Sequence, residues 1–192
     1  MPTLNALEKE FGKDISFTLL YVREAHPGKT YPQPQKLNQK ITHANDLVHK
    51  YNPNFSIVID DISGTLHHLL DSKPNSVHLI NNKGVILFQS LWAGDSKSLK
   101  TALDQVRKSS VVTDTISQKM MGPFIRSAGY MNEILNLAGA GAYKELAFGA
   151  PPVALISKTA SFFTFLPKAF RGYASTFVFI VFTISITILF KY

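Results

Sequence analysis

Residues Ala174 to Phe190 (ASTFVFIVFTISITILF) carry no charge, no Pro and no Gly. A helix needs about 20 mostly apolar residues to cross the hydrocarbon core of a bilayer, with a lower limit near 17. With Tyr173 and Tyr192 as interfacial ends, this run just meets that length. A buried strand explains it less well, because strands usually run about five or six residues. Residues 173–192 are therefore expected to form one C-terminal transmembrane helix. Lys158, Lys168 and Arg171 precede the run and only Lys191 follows it. The positive-inside rule then puts the bulk of the chain in the cytoplasm. The N-terminus lacks the basic-then-apolar pattern of a signal peptide, and the chain reads as a tail-anchored, single-pass membrane protein.

The other residues must fold in water. A length of 192 residues suits one soluble domain plus an extra segment. Hydrophobic residues make up 45% and charged residues 17%, enough to bury a core and unlike a disordered chain. There is no Cys, which excludes disulfides, Cys-ligated zinc and thiol catalysis by these residues. The net charge of +7 is spread without basic runs, and no zinc-finger, RNA-recognition or basic-zipper pattern is present. Nucleic acid is not an expected partner; the charge better suits an anionic membrane face.

Leu4, Leu7 and Phe11 recur at helical spacing before Gly12. Ile15 to Val22 is a continuous apolar run that suits a strand buried on both faces of a parallel sheet. Pro27, Gly28, Pro32 and Pro34 then mark a loop. Lys36 to Tyr51 reads as a helix with Leu37, Ile41, Ala44, Leu47, Val48 and Tyr51 on its apolar face, and Phe55 to Ile59 as a second strand. Ser63 is placed to cap a short helix with Leu66, Leu69 and Leu70 inward. Val77–Ile80 and Val85–Phe88 form a hairpin over Asn81-Asn82-Lys83-Gly84. A helix over Ser96 to Arg107 closes the pattern, with Leu99, Ala102, Leu103 and Val106 inward. The alternation implies an α/β three-layer domain over residues 1–108. Ser109 to Thr115 reads as a linker. Residues 109–172 make a helical extension of short, Gly-interrupted apolar helices that pack on the domain or lie against the bilayer surface.

Local chemical motifs are sparse. The chain has no nucleophile elbow, phosphate loop, dinucleotide fingerprint or His-Glu-x-x-His pair. His67 and His68 adjoin Asp60 and Asp61, but adjacent helical residues point about 100° apart and make poor joint metal ligands. His26 follows a buried strand in a Pro-bounded loop, and ligands of α/β sheets collect at strand carboxyl ends. An imidazole there exchanges protons near neutral pH. Period-two spacing would put Glu24 on the same side. A loop histidine bonded to backbone is the plainer alternative.

The segments YVREAHPG, DDISGTLHHLL and PNSVHLINNKGVILFQSLWAGD, in that order, resemble the bacterial redoxins related to iodothyronine deiodinases. The resemblance covers roughly residues 1–107, and the region after Met120 is similar to the helical extension of some bacterial members. It implies a thioredoxin-like fold and reduction of a small oxidised or halogenated substrate, with electrons from a thiol donor. It assigns catalytic roles around the substrate and its proton supply to Tyr21, Glu24 and His26. It also places Pro27 and Pro74 at the substrate pocket, Pro74 as the counterpart of the thioredoxin cis-proline. No cofactor or metal is implied, and a homodimer stays open.

The sequence departs from that pattern in two ways. The Cys or selenocysteine of the family falls at Met1, whose thioether cannot ionise, and the first strand, which bears the nucleophile, is missing. That strand is central in such a sheet, and each buried backbone group it leaves unpaired costs about 1–3 kcal/mol. Three explanations follow. The native polypeptide carries further N-terminal residues ending in Cys or selenocysteine near Pro2; or another strand fills the gap; or a partner supplies it. The first is the expectation, so these residues by themselves should be inactive in redox chemistry. A non-catalytic, tail-anchored interaction module on the same fold is the alternative.

Overall fold

A computed structural model describes residues 2–73, 75–109 and 111–190. Met1 and Pro74, both assigned roles by the resemblance, lie outside them. The chain divides into two compact units: Met1–Ala25 with Gln33–Met120, and His26–Pro32 with Met121–Tyr192.

The first unit is mixed α/β. Its elements are α1 (Pro2–Phe11), β1 (Thr18–Tyr21), α2 (Leu37–Tyr51), β2 (Ser56–Ile59), α3 (Thr65–Leu70), β3 (Val77–Ile80), β4 (Ile86–Ser90), α4 (Ser96–Ser109) and β5 (Ile116–Ser117). The strands form two small sheets. β1 pairs with β2 in parallel, Thr18 opposite Ser56 and Tyr21 opposite Ile59. β3 pairs with β4 antiparallel, and β4 takes β5 in parallel on its other edge. Among the described residues no strand joins the two sheets, so β1 and β3 each have a single strand neighbour.

The core sits where the helical and strand periodicities agree. Leu7 and Phe11 of α1, Leu79 and Phe88 of the hairpin, and Leu99, Ala102 and Leu103 of α4 form one cluster, with Val106 packed against it. Phe11 is 0% exposed. Lys100 and Arg107 of α4 place their cationic heads 4.8 and 4.5 Å from its ring centre. Val112 joins this cluster and β5 extends the sheet, so the expected linker is part of the first unit. The polar, β-branched character of Ser109 to Thr115 hides this, because an edge strand of two residues needs little apolar pattern.

Elsewhere the apolar pattern and the burial part company. Strand β1 is shorter than the run Ile15–Val22 and is not buried on both faces; Thr18 is exposed and only Tyr21 is fully buried. On α2 the fully buried residues are Lys40 and Ala44, while Leu37, Ile41, Val48 and Tyr51 are exposed. On α3 His67 is the buried residue, and Leu66 and Leu69 are exposed. Ser63 does not cap α3. Its amides are met by two carboxylates: Asp61 accepts from the Thr65 N–H at 3.0 Å, and Asp60 from Leu66 and His67 at 3.0 Å each.

The second unit is helical: α5 (Met121–Ala138), α6 (Ala142–Gly149), α7 (Pro151–Ala160) and α8 (Lys168–Leu189). Leu135, Ala138, Ala142, Leu146 and Ala154 form its core. The loop 26–32 is stitched on by backbone bonds from the Lys29 N–H to the Ala140 carbonyl and from the Thr30 N–H to the Ala138 carbonyl, both 2.9 Å. Helix α8 is long and apolar enough to cross a membrane. It begins five residues before the expected anchor, at Lys168, and its first turns pack within the helical unit. Gly172 and Ser175 are buried there, and the Ser175 hydroxyl donates to the Ile156 carbonyl at 2.7 Å.

Candidate functional site

The carboxyl ends of β1 and β2 gather a set of buried and half-buried polar side chains, Lys40 and Asp60 among them. The chain leaves β1 at Tyr21, whose carbonyl accepts the Asp60 N–H at 3.1 Å, and leaves β2 at Ile59. Parallel strands end on the same side, so Tyr21 to Glu24 and Asp60 to Gly64 come together with the first turns of α2.

Tyr21, Glu24 and His43 form one hydrogen-bonded cluster. The Tyr21 hydroxyl donates to Glu24 Oε1. The same carboxylate oxygen lies 3.1 Å from His43 Nδ1, and the Tyr21 hydroxyl lies 3.5 Å from that nitrogen. The His43 and Glu24 side chains are 10% and 22% exposed. A carboxylate that bridges a phenol and an imidazole in partial burial can pass a proton among them.

The structure thus joins Tyr21 and Glu24. It does not continue strand geometry beyond Tyr21, so period-two spacing does not apply to Glu24 and His26; without ladder bonds nothing imposes the pleat. His26 and Pro27 group with the helical unit through the loop 26–32. His43 was not singled out by sequence. It lies three residues after Lys40 and one before Ala44, the buried residues of α2, and no pattern in the sequence marks that face.

Beside the cluster a cavity of about 280 Å³ is lined by Arg23, Lys40, Gly64, His67 and His68, among others. Lys40 is 2% exposed, and its ammonium donates to the Asp61 carbonyl at 2.7 Å. Burial lowers its pKa, and the nearby Asp60 and Asp61 carboxylates oppose that shift. Asp61 is held well below the usual carboxylate range, chiefly by the Thr65 hydroxyl and amide and by Ser63. The two acids that cap α3 thus also favour the charged form of Lys40, whose ammonium has the Asp61 carbonyl as its hydrogen-bond partner.

The histidines of α3 serve local structure. His67 Nε2 is 3.3 Å from the Lys73 carbonyl, and His68 Nδ1 is 3.0 Å from the Ser72 hydroxyl. Their rings stack at 5.8 Å. No group of three or more His, Asp or Glu among the described residues is placed to hold a metal ion.

The chain matches no protein-family model, no curated protein and no solved structure.

Proposed function

We propose that this chain belongs to a membrane-anchored, thioredoxin-like oxidoreductase of the deiodinase-related redoxin group. It would reduce a small oxidised or halogenated substrate with electrons from a thiol donor. The observation that carries the reading is the Tyr21–Glu24–His43 cluster at the end of a parallel strand with one neighbour. Two small sheets that no strand joins among the described residues also suit a thioredoxin-like sheet that lacks its central member.

In such a reaction a chalcogen nucleophile takes the iodine or the outer peroxide oxygen from the substrate. The leaving carbon or oxygen gains a proton, and two thiols, oxidised to a disulfide, restore the nucleophile and release the iodine as iodide or the oxygen as water. The chain contributes the proton: Glu24 orders Tyr21 and His43, and the imidazole is the exchangeable donor. The nucleophile must come from outside these 192 residues, because they contain no Cys. The first unit is read as cytoplasmic, on the side of Lys158, Lys168 and Arg171.

The absence of Cys favours a second reading, a non-catalytic, membrane-anchored interaction module. The apolar stripe of Leu37, Ile41, Val48 and Tyr51 is exposed on α2 and would be its contact surface. The two readings separate by the N-terminal peptide and intact mass of protein taken from its native membranes, combined with a thiol-dependent peroxidase or deiodinase assay. A Cys or selenocysteine beside Pro2, with activity that Glu24→Gln abolishes, is the result expected for the enzyme. A native chain that begins at Met1 and lacks activity would leave the interaction module.

A further inference from the structure

Helix α8 is long enough to span a bilayer only if part of its packed half is counted. From Phe177 to Phe190 every residue but the half-buried Phe179 is exposed. That free part is about 14 residues, or about 21 Å at 1.5 Å per residue. The hydrocarbon core is about 30 Å thick. The apolar run is closed by Lys191, so the shortfall of about six residues must be met at the other end. A span of about 20 residues that ends at Phe190 starts at Arg171.

The turns so recruited are not free. A Cβ on Gly172 would collide with the Ile125 carbonyl, and one on Gly129 with the Lys168 carbonyl, so α5 and α8 touch backbone to backbone. Tyr173 donates to the Gly122 carbonyl at 3.1 Å, and Lys168 pairs with Glu133. As α8 advances its partners step back along α5, so the two helices are antiparallel and Met121 lies toward the free half of α8. Helix α7 is also antiparallel to α8, joined to it by the short turn 161–167. From the contact of Ser175 with Ile156, α7 runs back toward Pro151 in the same direction. The corner between α6 and α7, with Phe148 at its tip, therefore lies beside the start of the free half. Phe148 is 93% exposed, Met121 68% and Leu155 49%.

We infer that this end of the helical unit, Met121 on α5, Phe148 at the α6–α7 corner and Leu155 along α7 beside the Ser175 contact, is a lipid-contact surface. It sits in the headgroup and acyl boundary of the same bilayer that α8 enters. This rests on the reading of α8 as a membrane helix. Exposure alone does not select this end, since Phe165 in the α7–α8 turn is 78% exposed. The length of α8 selects it: bringing Arg171 to the hydrocarbon edge draws Phe148 in and leaves Phe165 on the water side of that edge.

The Cys-free chain permits a direct test. Phe148→Cys, Phe165→Cys and Phe182→Cys, each in the full chain, are labelled with an environment-sensitive fluorophore and reconstituted in vesicles of phosphatidylcholine and phosphatidylglycerol. Loss of quenching by aqueous iodide at 148 and 182, with quenching kept at 165, is the expected result. Protection at 182 with 148 as open to iodide as 165 would overturn the inference and leave the anchor. Iodide access at 182 would refute the membrane helix itself, and the inference with it.

Discussion

Glu24 is the residue on which the buried cluster depends, because one carboxylate oxygen serves both Tyr21 and His43. Hydrogen bonds to charged groups contribute about 1.5–3 kcal/mol. Glu24→Gln keeps the shape and removes the charge, so it should lower folding stability by about 1–3 kcal/mol, read from the urea midpoint. Asp95 gives a pH-dependent counterpart. Burial raises its pKa, but the Ser117 hydroxyl at 2.6 Å, the Ser98 hydroxyl and amide, and Lys119 outweigh that, and the net shift is downward. A carboxylate whose folded pKa lies below the unfolded value near 3.9 stabilises the fold above that value. The contribution disappears as pH falls through the lower, folded pKa. Asp95→Asn should therefore destabilise the chain at pH 7, and wild type and variant should converge as the solution is taken well below pH 4. Urea midpoints at the two ends of that range provide the check.

At the scale of elements, α1 and α4 were legible because their apolar residues recur on one face and that face is covered. Phe11 fills the junction, fully buried between the α4 residues and the hairpin. Phe11→Ala should cost about 3–5 kcal/mol, seen as a lower denaturant midpoint for the first unit. The crossing of α5 and α8 depends on small residues instead. Gly172→Ala must push the helices apart by driving a methyl group into the Ile125 carbonyl. Overpacking of this kind costs about 1–3 kcal/mol, and loss of thermal stability in the helical signal should reveal it. Helices α2 and α3 were legible as helices but not in their orientation. Their apolar faces stay exposed while Lys40 and His67 are buried, each with a backbone partner for its polar end: Lys40 donates to the Asp61 carbonyl, and the His67 ring lies 3.3 Å from the Lys73 carbonyl.

For the whole molecule, α8 is long and apolar enough to cross a membrane, and its exposed half is what would carry the chain into one. Insertion driven by apolar area should resist salt, unlike attraction of the +7 charge to anionic lipid. The full chain should remain in the membrane pellet through a high-salt wash. Ile180→Lys, at the middle of the span from Arg171 to Phe190, should shift much of it to the supernatant, since a lysine at the bilayer centre costs about 2.5–3.5 kcal/mol or more. Recovery of wild type in the salt-washed supernatant would remove the membrane from the account.

By itself the sequence determined the alternation of helices and strands, the hairpin at Asn81 to Gly84, the face of α4 that turns inward and the apolar length of α8. Each of these follows from periodicity, turn chemistry or composition within a single segment. Tertiary structure decided that the strands form two sheets and not one, that β5 closes onto β4, that Lys40 is buried and that His43 completes the cluster begun by Tyr21 and Glu24. These depend on which distant residue lies opposite. A carboxylate after β1 and an imidazole 19 residues later have no local reason to meet until α2 packs on the strands and brings them to hydrogen-bond distance.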